Sequence, residues 1–153
     1  MKIRLEIDES LTEAEIIIKG SCVENVSNIH KKVLDITKST PNIIFYKDNK
    51  EYYLDPGEIH FFETEHNNTY AHTKDDSFLV KYRLYELEEI LSKNFVRISK
   101  STIANIKHIL AISKSFGTSY SLEFNKSHKQ VYASRRYVKS LKLRLEERRN
   151  YEN

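Results

Sequence analysis

The chain has 153 residues, 39% of them hydrophobic, a formal charge of +3, and an aromatic content carried by ten Tyr and seven Phe. That length buries one ordinary core, or a core with a small appended layer, and three Gly and two Pro leave little for flexible linkers. A single cysteine, Cys22, excludes an intrachain disulfide or a cysteine-based zinc site; no run approaches the roughly 18 apolar residues of a membrane span, and Met1-Lys2-Ile3-Arg4 does not open like a signal peptide, so a reducing cytoplasm is expected.

Ile3, Leu5 and Ile7 alternate with charged residues as in a half-buried strand, and Glu15 to Lys19 reads as a second strand. From Val23 the apolar positions Val23, Val26, Ile29, Val33 and Ile36 form a helical stripe that ends before Pro41. The opening segment is therefore expected to be β-β-α. Short strands follow: Ile43 to Lys47 and Glu51 to Leu54 around a turn at Asp48-Asn49-Lys50, then Ile59 to Glu63, Tyr70 to Thr73 and Phe78 to Tyr82. Leu84, Leu87, Ile90 and Leu91 mark a two-turn helix, and after Phe95-Val96-Arg97-Ile98 a helical or turn segment is expected around Ser101 to Asn105. Strands near Ile109 to Ser113, Tyr120 to Phe124 and Gln130 to Ala133 lead to a final helix opening at Ser134, with Val138, Leu141 and Leu145 on one face.

The small net charge hides an asymmetry, for residues 1–92 carry 11 basic and 18 acidic side chains whereas residues 93–153 carry 14 basic and 4 acidic. A basic half of this kind suits a polyanion, or merely solubilises a surface. The placement of the cations discriminates. Ser134 is a good N-cap residue, and Arg135 and Arg136 occupy the first turn behind it, where a helix dipole favours anions and stability alone favours Asp or Glu. Two arginines beside free backbone N–H groups suit a phosphate or the O6/N7 edge of guanine, the ordinary alternative being an ion pair with an acid of the first half. Lys139, Lys142, Arg144, Arg148 and Arg149 extend the basic character of this helix. Ser99, Lys100 and Ser101 set a lysine between two hydroxyls, a composition common at phosphate contacts and equally ordinary in exposed turns. The stretch Glu65-His66-Asn67-Asn68-Thr69 is amide-rich; Asn can pair bidentately with adenine, although a plain turn explains it too.

His60, His66 and His72 recur every six residues, but on an unbroken strand they would spread over more than roughly 35 Å, and no carboxylate cluster completes a tetrahedral set, so no metal site is expected. Gly-rich phosphate loops, nucleophile elbows and zinc-protease motifs are missing from the sequence. No enzyme activity, cofactor or small-molecule substrate is expected.

Four landmarks in order carry a family likeness: Ile59-His60-Phe61-Phe62-Glu63, the segment Leu84 to Leu91, the segment Phe95 to Asn105 with Arg97, Lys100, Ser101 and Asn105 at fixed spacing, and Ser134-Arg135-Arg136-Tyr137. From about Tyr53 to Leu145 the chain resembles the LytTR DNA-binding domain of bacterial response regulators. The resemblance implies an elongated, mainly β (α+β) fold of small antiparallel sheets with short helices, in place of a helix-turn-helix. It further implies loops inserted into successive major grooves of double-stranded DNA, with base-contacting positions in the His66 to Thr69 loop, at Lys100 and at Arg136. The roughly 45 residues before the domain are too few for a phospho-accepting receiver. The chain thus looks like standalone regulators of this family, which are typically encoded beside a small membrane protein, an implied partner.

The expectation is therefore a β-β-α segment over 1–44 that regulates and dimerises, and a DNA-binding domain over 45–153. DNA contacts are expected from His66, Asn67, Asn68, Thr69, Arg97, Ser99, Lys100, Ser101, Ser134, Arg135, Arg136 and Lys139. The rival expectation is a protein-interaction module whose acidic and basic halves bind other proteins.

Overall fold

The computed structural model describes residues 2, 4, 6–12, 15–37 and 40–152, with the side chains of all of these but 35–37, 151 and 152. Chain contacts divide it into two units, Met1–Ser39 and Thr40–Asn153.

In the first unit the expected helix forms as α1, Val23–Thr37. Val26, Ile29 and Val33 of its stripe are half-buried, whereas Val23 is exposed. The chain passes close to this helix at Gly20, where an added Cβ would lie 2.6 Å from Val26 Cγ2. The expected strands are not seen. Glu15 to Lys19 is irregular, and of the first strand Lys2, Arg4, Glu6 and Ile7 are irregular while Ile3 and Leu5 lie outside the described residues. A two-stranded ribbon needs an apolar face covered by a third element, and Ile7, Ile16 and Ile17 are 86%, 61% and 66% exposed, so that burial is lacking.

In the second unit, ten strands are found among the described residues: β1 Phe45–Lys47, β2 Lys50–Tyr52, β3 Phe61–Glu65, β4 Asn68–His72, β5 Ser77–Val80, β6 Phe95–Arg97, β7 Thr102–Asn105, β8 Ile109–Lys114, β9 Ser119–Phe124 and β10 Gln130–Ser134. Two helices, α2 Leu84–Ile90 and α3 Arg135–Glu152, complete it. The strands form a seven-stranded sheet in the order β2-β1-β5-β4-β3-β7-β6 and a three-stranded sheet in the order β10-β9-β8, with every pairing antiparallel. Two hairpins of the larger sheet close on two-residue turns in the left-handed region, Asp48-Asn49 (φ 51° and 61°) and His66-Asn67 (φ 47° and 65°). Asn, Asp and His are the non-glycine residues that tolerate this region best, and such turns match the right-handed twist of the strands they join.

The segment Ser101 to Asn105, expected as a turn or helix, is instead strand β7 over Thr102–Asn105, and each of its four residues is buried. It lies between β3 and β6. A strand covered on both faces needs no polar side, so the alternation that marks strands is lost from its sequence. Its side chains divide between two cores. Ile103 joins Phe45, Ile59, Phe62, Phe78, Leu84 and Leu87 on the face that α2 covers, while Ala104 joins Phe61, Ile98, Leu122, Phe124, Val138 and Leu141, between the sheets and α3. The neighbours Phe61 and Phe62 of β3 separate in the same way. Asn105 ends the strand with 1% exposure; its Nδ2 donates to the Ile59 carbonyl at 2.9 Å and the Gly57 carbonyl at 3.3 Å, and its Oδ1 accepts from Lys107 N at 3.1 Å. A buried amide satisfied in this way ties the segment before β3 to the end of β7.

The histidines pack against rings. His60 stacks on His108 at 4.3 Å and on Phe124 at 5.4 Å, and His72 stacks on Phe61 at 4.2 Å. The fold-back of β3 on β4 brings His60 N to the His72 carbonyl at 2.7 Å, yet no group of three metal-ligating side chains occurs among the described residues. Burial lowers the pKa of both imidazoles to about 4, helped at His60 by the charges of His108 and Lys129 against an opposing Asp75, and at His72 by Lys129. Between the ordinary value near 6.5 and about 4, the unfolded chain binds protons that the folded chain refuses, so stability falls as pH drops through that window and is level again below it. Each ring contributes at most about 3 kcal/mol to this loss. His60→Phe, which also removes a buried Nδ1 without a hydrogen-bond partner, is expected to keep or raise stability at pH 7 and to flatten the acid limb of urea-midpoint measurements. An unchanged acid limb would show that His60 does not drive it.

Candidate nucleic-acid interface

Three segments singled out in the sequence come together at one end of the second unit. Strand β3 runs to the His66-Asn67 turn, and antiparallel β7 begins beside it with Glu63 opposite Thr102, which sets the preceding Ser99-Lys100-Ser101 loop at the same end. Thr64 N donates to the Ser101 carbonyl at 2.8 Å, fastening hairpin and loop. On the loop's other side Ser134 N donates to the Ile98 carbonyl at 2.9 Å, which fastens it to the end of β10 immediately before α3 begins at Arg135. Hairpin turn, lysine loop and helix start therefore adjoin in that order, joined by backbone hydrogen bonds.

The candidate side chains divide sharply. His66, Asn67, Asn68, Lys100, Ser101, Arg135, Arg136 and Lys139 are exposed. The amide-rich stretch is much shorter as a loop than expected: only His66 and Asn67 form the turn, Asn68 already pairs with Glu65, and Thr69 is 3% exposed inside β4. Alternation along β4 turns Thr69 inward, so it is not presented to a ligand. Ser99 is half-buried; its Oγ accepts from Ser101 N at 3.2 Å and lies 3.4 Å from Ser101 Oγ, so these hydroxyls shape the turn that carries Lys100. Ser134 is half-buried at the end of β10.

Arg97, expected as a DNA contact, is engaged elsewhere. Its Nε donates to the Ser99 carbonyl at 2.7 Å, its Nη2 to the Lys100 carbonyl and its Nη1 to Glu88 Oε1 of α2. One planar guanidinium thus clamps two successive carbonyls of the lysine loop while its charge is met by a carboxylate, a task for which the arginine fork is suited and lysine is not. Arg144 and Arg148 are also occupied, donating to the carbonyls of Lys93 and of Ile106 and Ile109. They recur with Leu141 and Leu145 at helical spacing on the inward face of α3. Exposed cations gather at the start of the helix, Arg135, Arg136 and Lys139, where the first turn contains no acid, and Lys142 and Arg149 are exposed further along.

Arg83 escaped the sequence reading. It precedes α2, where its backbone N–H is held by Glu86 Oε2 at 2.7 Å, and its Nη1 reaches the Asn67 carbonyl at 3.4 Å, so another exposed cation stands at the hairpin turn. Its sequence signal was weak, a basic residue two positions after Lys81 in the acidic half.

An end of a mainly β domain that gathers exposed arginine, lysine, imidazole and amide groups on backbone-braced turns is chemically that of a nucleic-acid-binding module. Residues 49–146 match the profile of the LytTr DNA-binding domain, and the chain belongs to that family. Proteins of Staphylococcus aureus strains NCTC 8325 and COL, each named as an uncharacterized HTH-type transcriptional regulator, are 34% identical over 146 residues, covering 95% of this chain and 98% of the relative. A solved LytTr DNA-binding domain from Bacillus cereus superposes with a TM-score of 0.63 at 22% identity, over 69% of this chain and 97% of that one, and shows the fold. The family is a DNA-binding domain and not an enzyme class, and with these relatives it makes the chain a DNA-binding regulator. Five strands separate α1 from α2 and five separate α2 from α3, so the described helices include no helix-turn-helix pair.

The clamp generates a test. Arg97→Ala is expected to lower duplex affinity about tenfold with an unchanged circular dichroism spectrum, because the lysine loop loses its brace, while the salt slope keeps nearly its full value. Arg97→Lys should recover only part of the loss. A slope reduced by a full ion in a salt titration would mean that Arg97 touches phosphate directly.

Proposed function

We propose that the chain binds double-stranded DNA sequence-selectively in the cytoplasm as a homodimeric transcriptional regulator, with the His66-Asn67 turn, the Lys100 loop and the start of α3 entering the major groove. The observation that carries this reading is the convergence of the three segments through Thr64 N to Ser101 O and Ser134 N to Ile98 O. Each segment alone is ordinary, but together they place Lys100 and Arg136 on neighbouring supports.

The two cations do different work. Arg136 lies in the first turn of a helix anchored by buried Val138 and Leu141, with its guanidinium carbon 5.8 Å from the Tyr137 ring centre, so its fork starts from a restricted set of positions and suits guanine O6/N7. Lys100, at an exposed turn between hydroxyls, suits a phosphate or a base. Arg136→Ala is expected to weaken a site selected from a random duplex pool by about 1–3 kcal/mol more than it weakens random duplex. Lys100→Ala should weaken both and reduce the salt slope by about one ion. Titrations on both duplexes check this. Equal losses for Arg136→Ala would make it a phosphate clamp, and no binding by the unaltered chain even at low salt would remove the reading altogether.

Self-association is assigned to the first unit. That unit leaves Ile7, Leu11, Ile16 and Ile17 exposed before α1 and Val23 exposed at its start, a surface that about 40 residues cannot bury internally. A chain lacking residues 1–39 is expected to bind single half-sites normally and to lose cooperative binding to paired sites. Light scattering that gave the same oligomer before and after truncation would contradict this role.

A further inference from the structure

The β8–β9 hairpin contains the most exposed large apolar side chain described, Phe116, which has no shelter from the rest of the chain at 103% exposure. Its tip is fixed: Ser115 N donates to the Ser119 carbonyl at 3.0 Å, and Gly117 turns the chain at φ 82°, a conformation other residues resist. A wholly exposed phenyl ring on a tied hairpin tip gains nothing by burial in this chain. Its position gives it a use, because Ser119 pairs with Ser134 across β9 and β10, so the tip projects beside the start of α3. The row of hairpin turn, lysine loop and helix start thereby acquires a fourth member at its outer end.

An open cleft of about 530 Å³ runs from this tip along the outer face of the small sheet. It is lined by Ser113, Ser115 and Ser121, by Lys114 and Gln130, and by Phe116 and Tyr132, with no acidic residue among them. Glu123, the sole acidic residue in the three strands, pairs with the lining residue Gln130 at the end of the cleft away from the tip. Hydroxyl donors and an ammonium for phosphate oxygens, beside apolar rings for sugar faces, are the chemistry of a nucleic-acid backbone site.

Resting on the DNA-binding reading, we propose that the β8–β9 tip is a further DNA-binding element, in which Lys114 contacts a phosphate and Phe116 packs on deoxyribose flanking the bases read by the start of α3. The occupant is DNA rather than a second copy of the chain because the tip adjoins the start of α3 through the Ser119–Ser134 pair and the charged residue it presents, Lys114, matches a polyanion. The element adds affinity without choosing sequence.

The test uses the full chain, a fluorescent random-sequence duplex and the selected site, with salt titrated by anisotropy. Lys114→Gln is expected to weaken both duplexes about three- to tenfold and to lower the salt slope by about one ion. Phe116→Ser should weaken both to a similar extent with the slope unchanged. On a selected-site duplex cut flush at the α3 side, the unaltered chain should lose the same affinity and both variants should lose little more. Both residues are exposed, so circular dichroism should be unaltered in the variants. If both variants bind like the unaltered chain while Arg136→Ala still weakens the selected site, the tip is not a DNA element and the DNA-binding reading survives. If Phe116→Ser changes only the oligomer mass, the tip is a protein contact and the proposal falls. If the unaltered chain binds no duplex at low salt, both readings fall together.

Discussion

Strand β7 has no side facing water, and the rest of the second unit is arranged around that constraint. Its neighbours β3 and β6 satisfy its backbone, and its alternate side chains enter two different cores. A shift of register by one residue would exchange Ile103 with Ala104, overfilling one core and emptying the other. Register at β7 therefore fixes where the strand begins. That in turn fixes where the preceding Lys100 loop stands relative to the β3–β4 turn.

The same strand marks the boundary of what could be read from the sequence. Exposed hairpins and amphipathic helices declare themselves by turn residues and periodicity, and α2 and α3 lie where those signals put them, while the two hairpin turns fall inside the longer stretches marked for them. Thr102-Ile103-Ala104-Asn105 has neither signal, since burial on both faces removes alternation and small residues blur propensity. At the opposite extreme, Ile16 and Ile17 have strong strand propensity and form no strand, for want of a covering surface. Propensity proposed and burial decided in both cases.

For the candidate site, composition located the segments but could not sort their cations. Arg97 and Arg136 are indistinguishable as letters, yet the first is spent on two loop carbonyls and Glu88 while the second stands free at a helix start. Arg144 and Arg148 are likewise bound to backbone oxygens. Thus part of the positive charge of the second half holds the protein together and is unavailable to a polyanion. Only tertiary contacts reveal which part, although the helical spacing of Arg144 and Arg148 with Leu141 and Leu145 already hinted that they turn inward.

The backbone hydrogen bonds from Thr64 to Ser101 and from Ser134 to Ile98 have a consequence for how such a surface changes over time. Main-chain groups are the same whatever side chains they bear, so the two bonds that space the hairpin turn, the lysine loop and the helix start do not depend on the exposed side chains at 100 and 136, whereas the left-handed backbone at 66 and 67 restricts what can stand there. On the function proposed above, drift at 100 and 136 alters what the surface recognises while leaving these backbone bonds in place. Residues such as Asn105 and Arg97, whose side chains are themselves part of the frame, have no such freedom. The fold thus separates a braced chassis from an exposed display, so that such a surface can change in small steps, each of them a folded protein.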